Sequence, residues 1–479
     1  MRGILNRQRS VAEKLAPRTG RSEAAAELTD GSRVAVIGGG PSGSFFTYFL
    51  YRMAEVVGLD LAVDIFEPRH FTHCGPAGCN HCGGIISESL VQLLATEGIN
   101  LPPTVVQRGI DSYVLHMDVG SVRIETPGHE KRIAAVFRGN GPRDVEHVGW
   151  ESFDRFLQGL AQDRGARIVR RAVTGFEWDD GRPLLKHADG SDEIYDLVAV
   201  AVGVNSNFLR LLEADSVGYR PPKTGATFIC EFQLGRENIQ QYLGTSMHVF
   251  QLGLPRLEFA ALIPKGNVVT LCLLGQGIDV ELVQRFLDAP EVRRCFPPEM
   301  GRPDHVCNCA PMINVRGAAR PYADRFVVIG DSGVTRLYKD GIGAAYRTAK
   351  AAAVTAVFQG ISAKDFEKHF WPVCRRIERD NAIGKFIFAF NDQLRKKRFS
   401  RRAILRMVSR EQSEDGMTRH MSGVLWDLFT GSAPYREVFL NSLHPGFLGG
   451  LLWNAARSLT TRGVGPIAEE NLHGRDRTG

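Results

Sequence analysis

The chain has 479 residues, enough for two to four domains at ~100–200 residues each, or for one large α/β unit with insertions. Hydrophobic residues make up 43% and charged residues 23%, which excludes collagen, coiled coil and wholesale disorder. A net charge of +6 is modest for this length and speaks against a uniformly basic nucleic-acid binder, while 51 glycines, about 11% against a usual ~7%, point to tight turns and close backbone–ligand approaches.

Residues 1–30 read as a flexible leader. Its Arg2, Arg7, Arg9, Lys14, Arg18 and Arg21 are offset by Glu13, Glu23, Glu27 and Asp30, which weakens a mitochondrial-presequence reading. The leader also lacks the apolar core of a secretory signal. Nine cysteines are too few for a disulfide scaffold, and no apolar run approaches ~18 residues. The expected compartment is the reducing cytoplasm.

Val34 to Ile37 is a short β-branched run, followed by Gly38-Gly39-Gly40-Pro41-Ser42-Gly43, a helix-like stretch Ser44 to Val57, and a second strand Leu61 to Phe66 that ends in Glu67. This is strand, glycine turn, helix, strand, acid. Gly38 allows the turn, Gly40 lets backbone approach a pyrophosphate, and Gly43 lets the helix pack on the strand. The helix N-terminus supplies N–H donors, and Glu67 accepts from a ribose diol. The spacing alone does not separate FAD from NAD. The second signal does: a strand Arg325 to Ile329 leads into Gly330-Asp331-Ser332-Gly333, then Asp340-Gly341-Ile342-Gly343 opens a small-residue helix, Ala344 to Phe358. An acid at a strand end can hold a ribitol hydroxyl, and a glycine-led helix N-terminus can face the pyrimidine edge of a flavin, where charge builds on reduction. FAD is the expected cofactor, on Gly38, Gly40, Pro41, Ser42, Gly43, Glu67, Asp331, Gly341 and Gly343.

Between these ends lies a cysteine cluster. Cys74, Cys79 and Cys82 have the spacing C-x4-C-x2-C on a glycine-rich loop with His73 and His81, and Cys307-Asn308-Cys309 forms a second group. Two short motifs of this kind suit structural zinc, and the first spacing also occurs in plant-type iron–sulfur proteins. Zinc, an iron–sulfur cluster, and free or buried thiols all stand as readings. Cys230, Cys272, Cys295 and Cys374 are isolated, and Cys230 and Cys272 read as small core residues. Arg108 to Val148 reads as short strands and turns. Glu151 to Asp163 reads as a helix leading to the strand Ala166 to Val169. Segments 224–234, 247–252, 258–263 and 268–274 read as an antiparallel sheet, and 279–287 and 289–295 as short helices.

Past residue 360 the composition changes. Segments 364–380 and 383–394 read as helices. Residues 395–410 then carry Arg395, Lys396, Lys397, Arg398, Arg401, Arg402, Arg406 and Arg410 with no acid. On a helix, Arg395, Arg402, Arg406 and Arg410 share a face, with Ala403, Ile404, Met407 and Val408 on the adjoining arc. This suits an anionic membrane surface or a solvated basic helix. Leu443 to Leu459 is apolar enough to dip into a bilayer interface or to cover a substrate tunnel. No nucleic-acid reading module accompanies the basic run.

The sequence resembles the flavoproteins of the p-hydroxybenzoate hydroxylase fold, and most closely the geranylgeranyl reductase family, over roughly residues 33–355. Four segments carry the resemblance. They are the glycine turn with Glu67; Cys82-Gly83-Gly84-Ile85-Ile86-Ser87; Tyr195-Asp196-Leu197-Val198 through Gly203, Asn205, Ser206 and Arg210; and Gly330-Asp331 with Gly341 and Gly343. Pro264-Lys265-Gly266 and Ser152-Phe153-Asp154 add to it. Trp150 stands where the family has arginine, and Ala201-Val202-Gly203 lacks the acid of the aromatic hydroxylases. The WxWxIP motif of halogenases is absent.

The resemblance implies an α/β protein. Its Rossmann-like, glutathione-reductase-type FAD-binding domain comes from 31–110, 151–215 and 313–360. A substrate domain built on an antiparallel sheet comes from 111–150 and 216–312, and a C-terminal helical region from 361–479. It implies that Val173 lies near the adenine, that Cys82 lines the reactive face of the flavin, and that both cysteine groups lie near it. The metal ligands would be Cys74, Cys79, Cys307 and Cys309, with or without Cys82. The implied activity is reduction of carbon–carbon double bonds in a long apolar, isoprenoid substrate, with NAD(P)H or a ferredoxin as donor. The rivals are a flavin monooxygenase or halogenase, and an electron-transfer flavoprotein serving a membrane quinone.

Overall fold

The computed structural model describes residues 26–79, 81–126, 133–145, 149–214, 218–301, 305–414 and 418–460. Most of the expected leader lies outside these residues. Its last part does not hang free: Leu28 is buried, and the Ala26 carbonyl accepts from the Ile361 N–H at 2.7 Å.

A six-stranded sheet is wound around Ser32–Ile37. Leu61–Phe66 and Leu197–Val200 flank that strand in parallel, Arg167–Val169 extends the sheet on one side, and Phe326–Val328 with Tyr322–Ala323 extends it on the other. The strands read as continuous apolar runs because both faces are covered. Val34, Val36, Val63, Ile65, Ala199 and Val327 pack under helices Pro41–Val57, Phe153–Gln162 and Gly341–Phe358. Ala35, Ile37, Phe66, Val198, Val200 and Val328 form a second core on the other face with Phe176, Leu185 and Phe208.

The second large sheet runs in the order His305–Cys309, Lys223–Gln233, Val268–Gly275, Leu257–Lys265, Ser246–Phe250, Ser112–Met117, Gly120–Glu125, and Met312–Arg316 also pairs with the first half of Lys223–Gln233. It is antiparallel as expected, except that Ser246–Phe250 and Ser112–Met117 run parallel. Alternation sorts its residues onto two cores. Cys230, Phe232, Phe250, Ala260, Leu262, Leu271 and Leu273 meet Phe286, Val292 and Phe296 of the outer helical cover. Tyr113, Leu115, Met247, Val249, Ala261 and Ile263 face inward, against Ile404, Leu405, Val408, Trp426 and Phe429 of the C-terminal helices.

The C-terminal region is helical, with two corrections to the expected elements. Helix Trp371–Lys396 is continuous through the break expected at 381–382 and is preceded by a π turn, Phe366–Phe370. Asn381 does not end the helix because its amide is spent elsewhere, accepting from Leu337 N–H and donating to the Thr335 carbonyl. In helix Arg398–Ser413, the arc Ala403, Ile404, Met407 and Val408 is buried in the inward core rather than turned outward. The basic run is split at Lys397, which leaves Arg395 on the preceding helix, and several of its cations are likewise tied down. Arg401 grips Asp118 through two bonds of 2.6 and 2.8 Å, Arg395 donates to the Leu257 carbonyl, Arg406 donates to Ser458 Oγ, and Arg410 pairs with Glu414.

Candidate active site

The glycine turn closes as its spacing requires. Gly38 has φ +104, and a Cβ there would stand 2.5 Å from the Ala201 carbonyl oxygen. A Cβ at Gly43 would collide with the Gly38 carbonyl. Pro41 opens the helix, and its N-cap, Gly40, offers no side-chain bond. The first-turn N–H groups of Ser42 and Gly43 therefore meet no capping side chain, as an anion cradle demands. Glu67 is buried at the end of its strand, where it accepts from Gly39 N–H at 3.0 Å and from Arg69 at 3.1 Å. Val173 begins the strand Val173–Asp179, which joins a separate three-stranded sheet, and it packs beside Phe66 and Val169.

The second glycine segment meets the first. Gly330 has φ +65 and sits against Ser42 Oγ. Asp331 follows in a 3-10 turn, and a Cβ on Gly341 would lie 3.7 Å from Asp331 Oδ1. Burial pushes the Asp331 carboxyl up, against a hydrogen bond from Thr335 and the Arg138 charge. At the head of helix Gly341–Phe358, Asp340 adopts a left-handed backbone, and its buried carboxylate accepts from Ser87 Oγ at 2.9 Å and from Arg347 at 3.0 Å. Together these features fit FAD: uncapped helix donors for a pyrophosphate, an acid at each strand end for sugar hydroxyls, and a glycine-led helix at the far end.

Cys82 is half-buried, with Gly84 N–H 3.4 Å from its Sγ. Its other neighbour is Arg138, whose guanidinium reaches the same sulfur and grips the fully buried Asp154 carboxylate at 2.5 and 3.1 Å. The arginine that the Phe153-Asp154 helix start lacks at Trp150 thus comes from a strand end upstream, and Trp150 stacks on Phe137 instead.

The two cysteine groups approach one another on the inward face of the large sheet. Register sets Cys307 opposite Glu231 and Cys309 opposite Ile229, in the row of Cys272. Cys307 Sγ donates to Glu231 Oε2 at 3.2 Å, and Glu231 also accepts from Thr270 Oγ1. Charge on Cys79 is felt at both Cys307 and Cys309, and charge on Cys82 at Cys309 and Cys272. Burial pushes the Cys272 and Cys309 thiols up to about 12 and raises Cys79 and Cys307 as well, so without a metal these are neutral thiols. Cys74 Sγ lies 3.9 Å from Asn140 Nδ2. Among the described residues, the His, Cys, Asp and Glu side chains with at least three ligand atoms mutually within 4.8 Å are a different set: His116, His248 and Cys295.

One residue of the site was not singled out from the sequence. Lys339 lies two positions before Gly341, with Nζ 3.4 Å from the Phe259 ring centre and near Cys272. Burial in this apolar wall brings its amine down to about 7. The dipeptide Lys339-Asp340 ahead of the glycine pair was its only sequence signal.

The chain matches no family model and no curated protein. Solved structures do match in fold. A flavoprotein/dehydrogenase from Cytophaga hutchinsonii is 14% identical with a TM-score of 0.56, over 89% of this chain and 99% of that one. A point mutant of the halogenase PltM, in complex with FAD, is 13% identical with a TM-score of 0.56, over 90% and 92%. The flavin-dependent brominase Bmp2 is 13% identical with a TM-score of 0.52, over 88% and 93%. The chain therefore has the mixed α/β, Rossmann-type fold of flavin-dependent halogenases and related flavoproteins.

Proposed function

We propose that the protein is an FAD-dependent oxidoreductase that reduces carbon–carbon double bonds of a long apolar substrate of isoprenoid type, as its resemblance to the geranylgeranyl reductases implies. The observation that carries the reading is Lys339, an amine brought to about 7 in an apolar wall beside the helix start where the flavin ring would end. FAD would be held by Gly38, Gly40, Pro41, Ser42, Gly43, Glu67, Val173, Asp331, Gly341 and Gly343, and when reduced it supplies a hydride. Lys339 Nζ holds the proton that the second alkene carbon takes, and is reprotonated from water. The alkene gains two electrons, drawn through the flavin from NAD(P)H or a ferredoxin, and two hydrogens, one as the hydride and one as the Lys339 proton that water replaces. Phe259, Ala261, Ile263 and Cys272 form the apolar roof, with Cys82 at its edge. Cys74, Cys79, Cys307 and Cys309 remain the candidate ligands for zinc or an iron–sulfur cluster on this face.

A membrane surface would deliver such a substrate. Helix Pro445–Thr460 turns Leu448, Leu452, Trp453 and Leu459 outward, and Lys397 and Arg398 are exposed at the start of the basic helix it packs against. No described helix is long and apolar enough to cross a membrane.

The test is anaerobic. Protein carrying bound FAD is reduced with dithionite and mixed with a polyprenyl alkene. The reading requires reoxidation of the flavin and a product heavier by two hydrogens. Reoxidation by oxygen alone, with hydroxylation or halogenation of a substrate, overturns it in favour of monooxygenase chemistry or of the halogenase chemistry for which some fold neighbours are named.

A further inference from the structure

His116 and His248 stand on the outer face of the large sheet, opposite to the flavin-side thiols. Parallel pairing of Ser112–Met117 with Ser246–Phe250 brings the two imidazoles together, and Cys295 is lowered onto them by the turn after helix Pro290–Arg293. All three are buried among Phe250, Phe286, Val292 and Phe296. His116 Nε2 lies 2.9 Å from His248 Nδ1, and Cys295 Sγ lies 3.4 Å from His248 Nδ1 and 4.0 Å from His116 Nε2.

The outer nitrogens of both rings are anchored. His248 Nε2 is 3.3 Å from the Leu243 carbonyl oxygen, which only accepts, so the proton sits on Nε2 and Nδ1 turns a lone pair toward the centre. His116 Nδ1 is 2.8 Å from Ser121 Oγ. When Nδ1–H donates to that hydroxyl, Nε2 also presents a lone pair. In that tautomer the two facing lone pairs need a metal ion between them; in the other, Ser121 Oγ–H donates to Nδ1 and His116 Nε2–H donates to His248 Nδ1, with no ion needed. The pattern of an imidazole whose far nitrogen is fixed by an oxygen acceptor is that of a supported metal ligand.

The three ligand atoms already lie near the corners of a zinc tetrahedron. Zinc with bonds of about 2.0–2.1 Å to nitrogen and about 2.3 Å to sulfur, in a tetrahedron, separates N from N by about 3.4 Å and N from S by about 3.6 Å. The observed edges of 2.9, 3.4 and 4.0 Å bracket these values; the fit needs the imidazole pair opened by about half an ångström and Cys295 Sγ drawn about 0.4 Å toward His116. The Glu291 carbonyl oxygen, 3.7 Å from Cys295 Sγ, offers a fourth donor. Arg294 is the nearby cation, and the thiolate formed when the ion displaces the Cys295 proton offsets it.

The geometry points to a buried zinc site on His116, His248 and Cys295 that clamps the outer helical cover to the strand pair beneath it. It is independent of the flavin chemistry and of the cysteines near Cys82.

The test uses the full chain produced in zinc-supplemented medium, with metal counted by mass spectrometry and cobalt(II) then exchanged in. The site requires about one equivalent of zinc and, after exchange, a thiolate-to-cobalt charge-transfer band in the near ultraviolet with tetrahedral visible bands. Both must survive in the Cys79→Ser, Cys307→Ser, Cys309→Ser triple variant, which disables the other face, and vanish when Cys295→Ala or His248→Gln is added to it. Circular dichroism establishes that each variant is folded. If Cys295→Ala and His248→Gln do not fold, the triple variant decides, since loss of the band there assigns the metal to the other face. Absence of zinc from the wild type after loading, or its retention when Cys295→Ala is added to the triple variant, overturns the proposal.

Discussion

Lys339 puts a number on the pH behaviour expected of the reaction. Its amine is charged below about 7 and neutral above, because burial in the wall of Phe259 and Cys272 disfavours the ammonium. In the proposed reaction the ammonium would be the proton donor, so single-turnover alkene reduction should fall roughly tenfold per pH unit as pH rises past about 7. Lys339→Met keeps the side-chain length and removes the proton. It should lower the rate by about 10²–10⁴-fold, abolish that limb of the profile, and leave substrate affinity near its starting value. A methionine variant with the wild-type rate and profile would remove Lys339 from the mechanism. Gly43 carries a second expectation at this scale. A Cβ there meets Gly38 backbone and comes within 3.0 Å of Val36 Cγ1, so Gly43→Ala should lose bound flavin and about 1–3 kcal/mol of stability. Gly159, in helix Phe153–Gln162, has open space where a Cβ would go, so Gly159→Ala should gain about 0.5–1 kcal/mol. Flavin-to-protein absorbance and urea midpoints of the two variants measure the contrast.

Elements were legible where their cause is local. The two glycine turns, the strands that flank them and the alternating strands of the large sheet are set by residues within a few positions of one another. Asp279, for example, caps helix Val280–Leu287 through Leu282 N–H, one position from the expected start. Elements were misread where a side chain works at a distance. The break expected at 381–382 falls on Asn381, a residue whose amide competes with the backbone in isolation. The arc Ala403, Ile404, Met407 and Val408 has the pattern of a membrane-facing stripe and equally that of a core-facing one. What decides is a neighbour far along the chain, the sheet face carrying Met247 and Val249. Glu411 shows how firmly that helix is built in. Its buried carboxylate accepts from Met421 N–H at 2.9 Å, Ser422 N–H at 2.8 Å and Ser422 Oγ at 2.8 Å, so one helix caps the next. Glu411→Ala leaves those donors without partners and should cost about 2–3 kcal/mol in chemical denaturation, with Glu411→Gln costing less.

The molecule as a whole pairs two sheets, and its thiols and amines become a site only through that pairing. Cys82 arrives from the nucleotide side, Cys272 and Cys309 from the large sheet, and Lys339 from the link to helix Gly341–Phe358. No spacing within one segment announces this. The same holds for His116, His248 and Cys295, which lie on three separate segments, so that Cys295 read as one isolated thiol among several.

The same pairing fixes which surface is left for a membrane. With the basic helix packed inward, the apolar side chains remaining outside on helix Pro445–Thr460 are Leu448, Leu452, Trp453 and Leu459, and this helix carries no acid. Burying one such side chain in a lipid interface is worth about 1.5–3 kcal/mol, and each nearby Lys or Arg adds about 1 kcal/mol over anionic lipid. Leu452→Glu with Trp453→Glu should therefore weaken binding to vesicles of phosphatidylglycerol and phosphatidylcholine by at least about a hundredfold. Lys397→Gln with Arg398→Gln should cost about thirtyfold, and only where anionic lipid is present. Salt should weaken the wild type but not the charge variant. Both pairs are exposed, so urea midpoints should barely move, which separates loss of binding from loss of fold. If wild-type protein stays with the soluble fraction in vesicle flotation at low salt, this face has another use and the apolar substrate must arrive by a carrier.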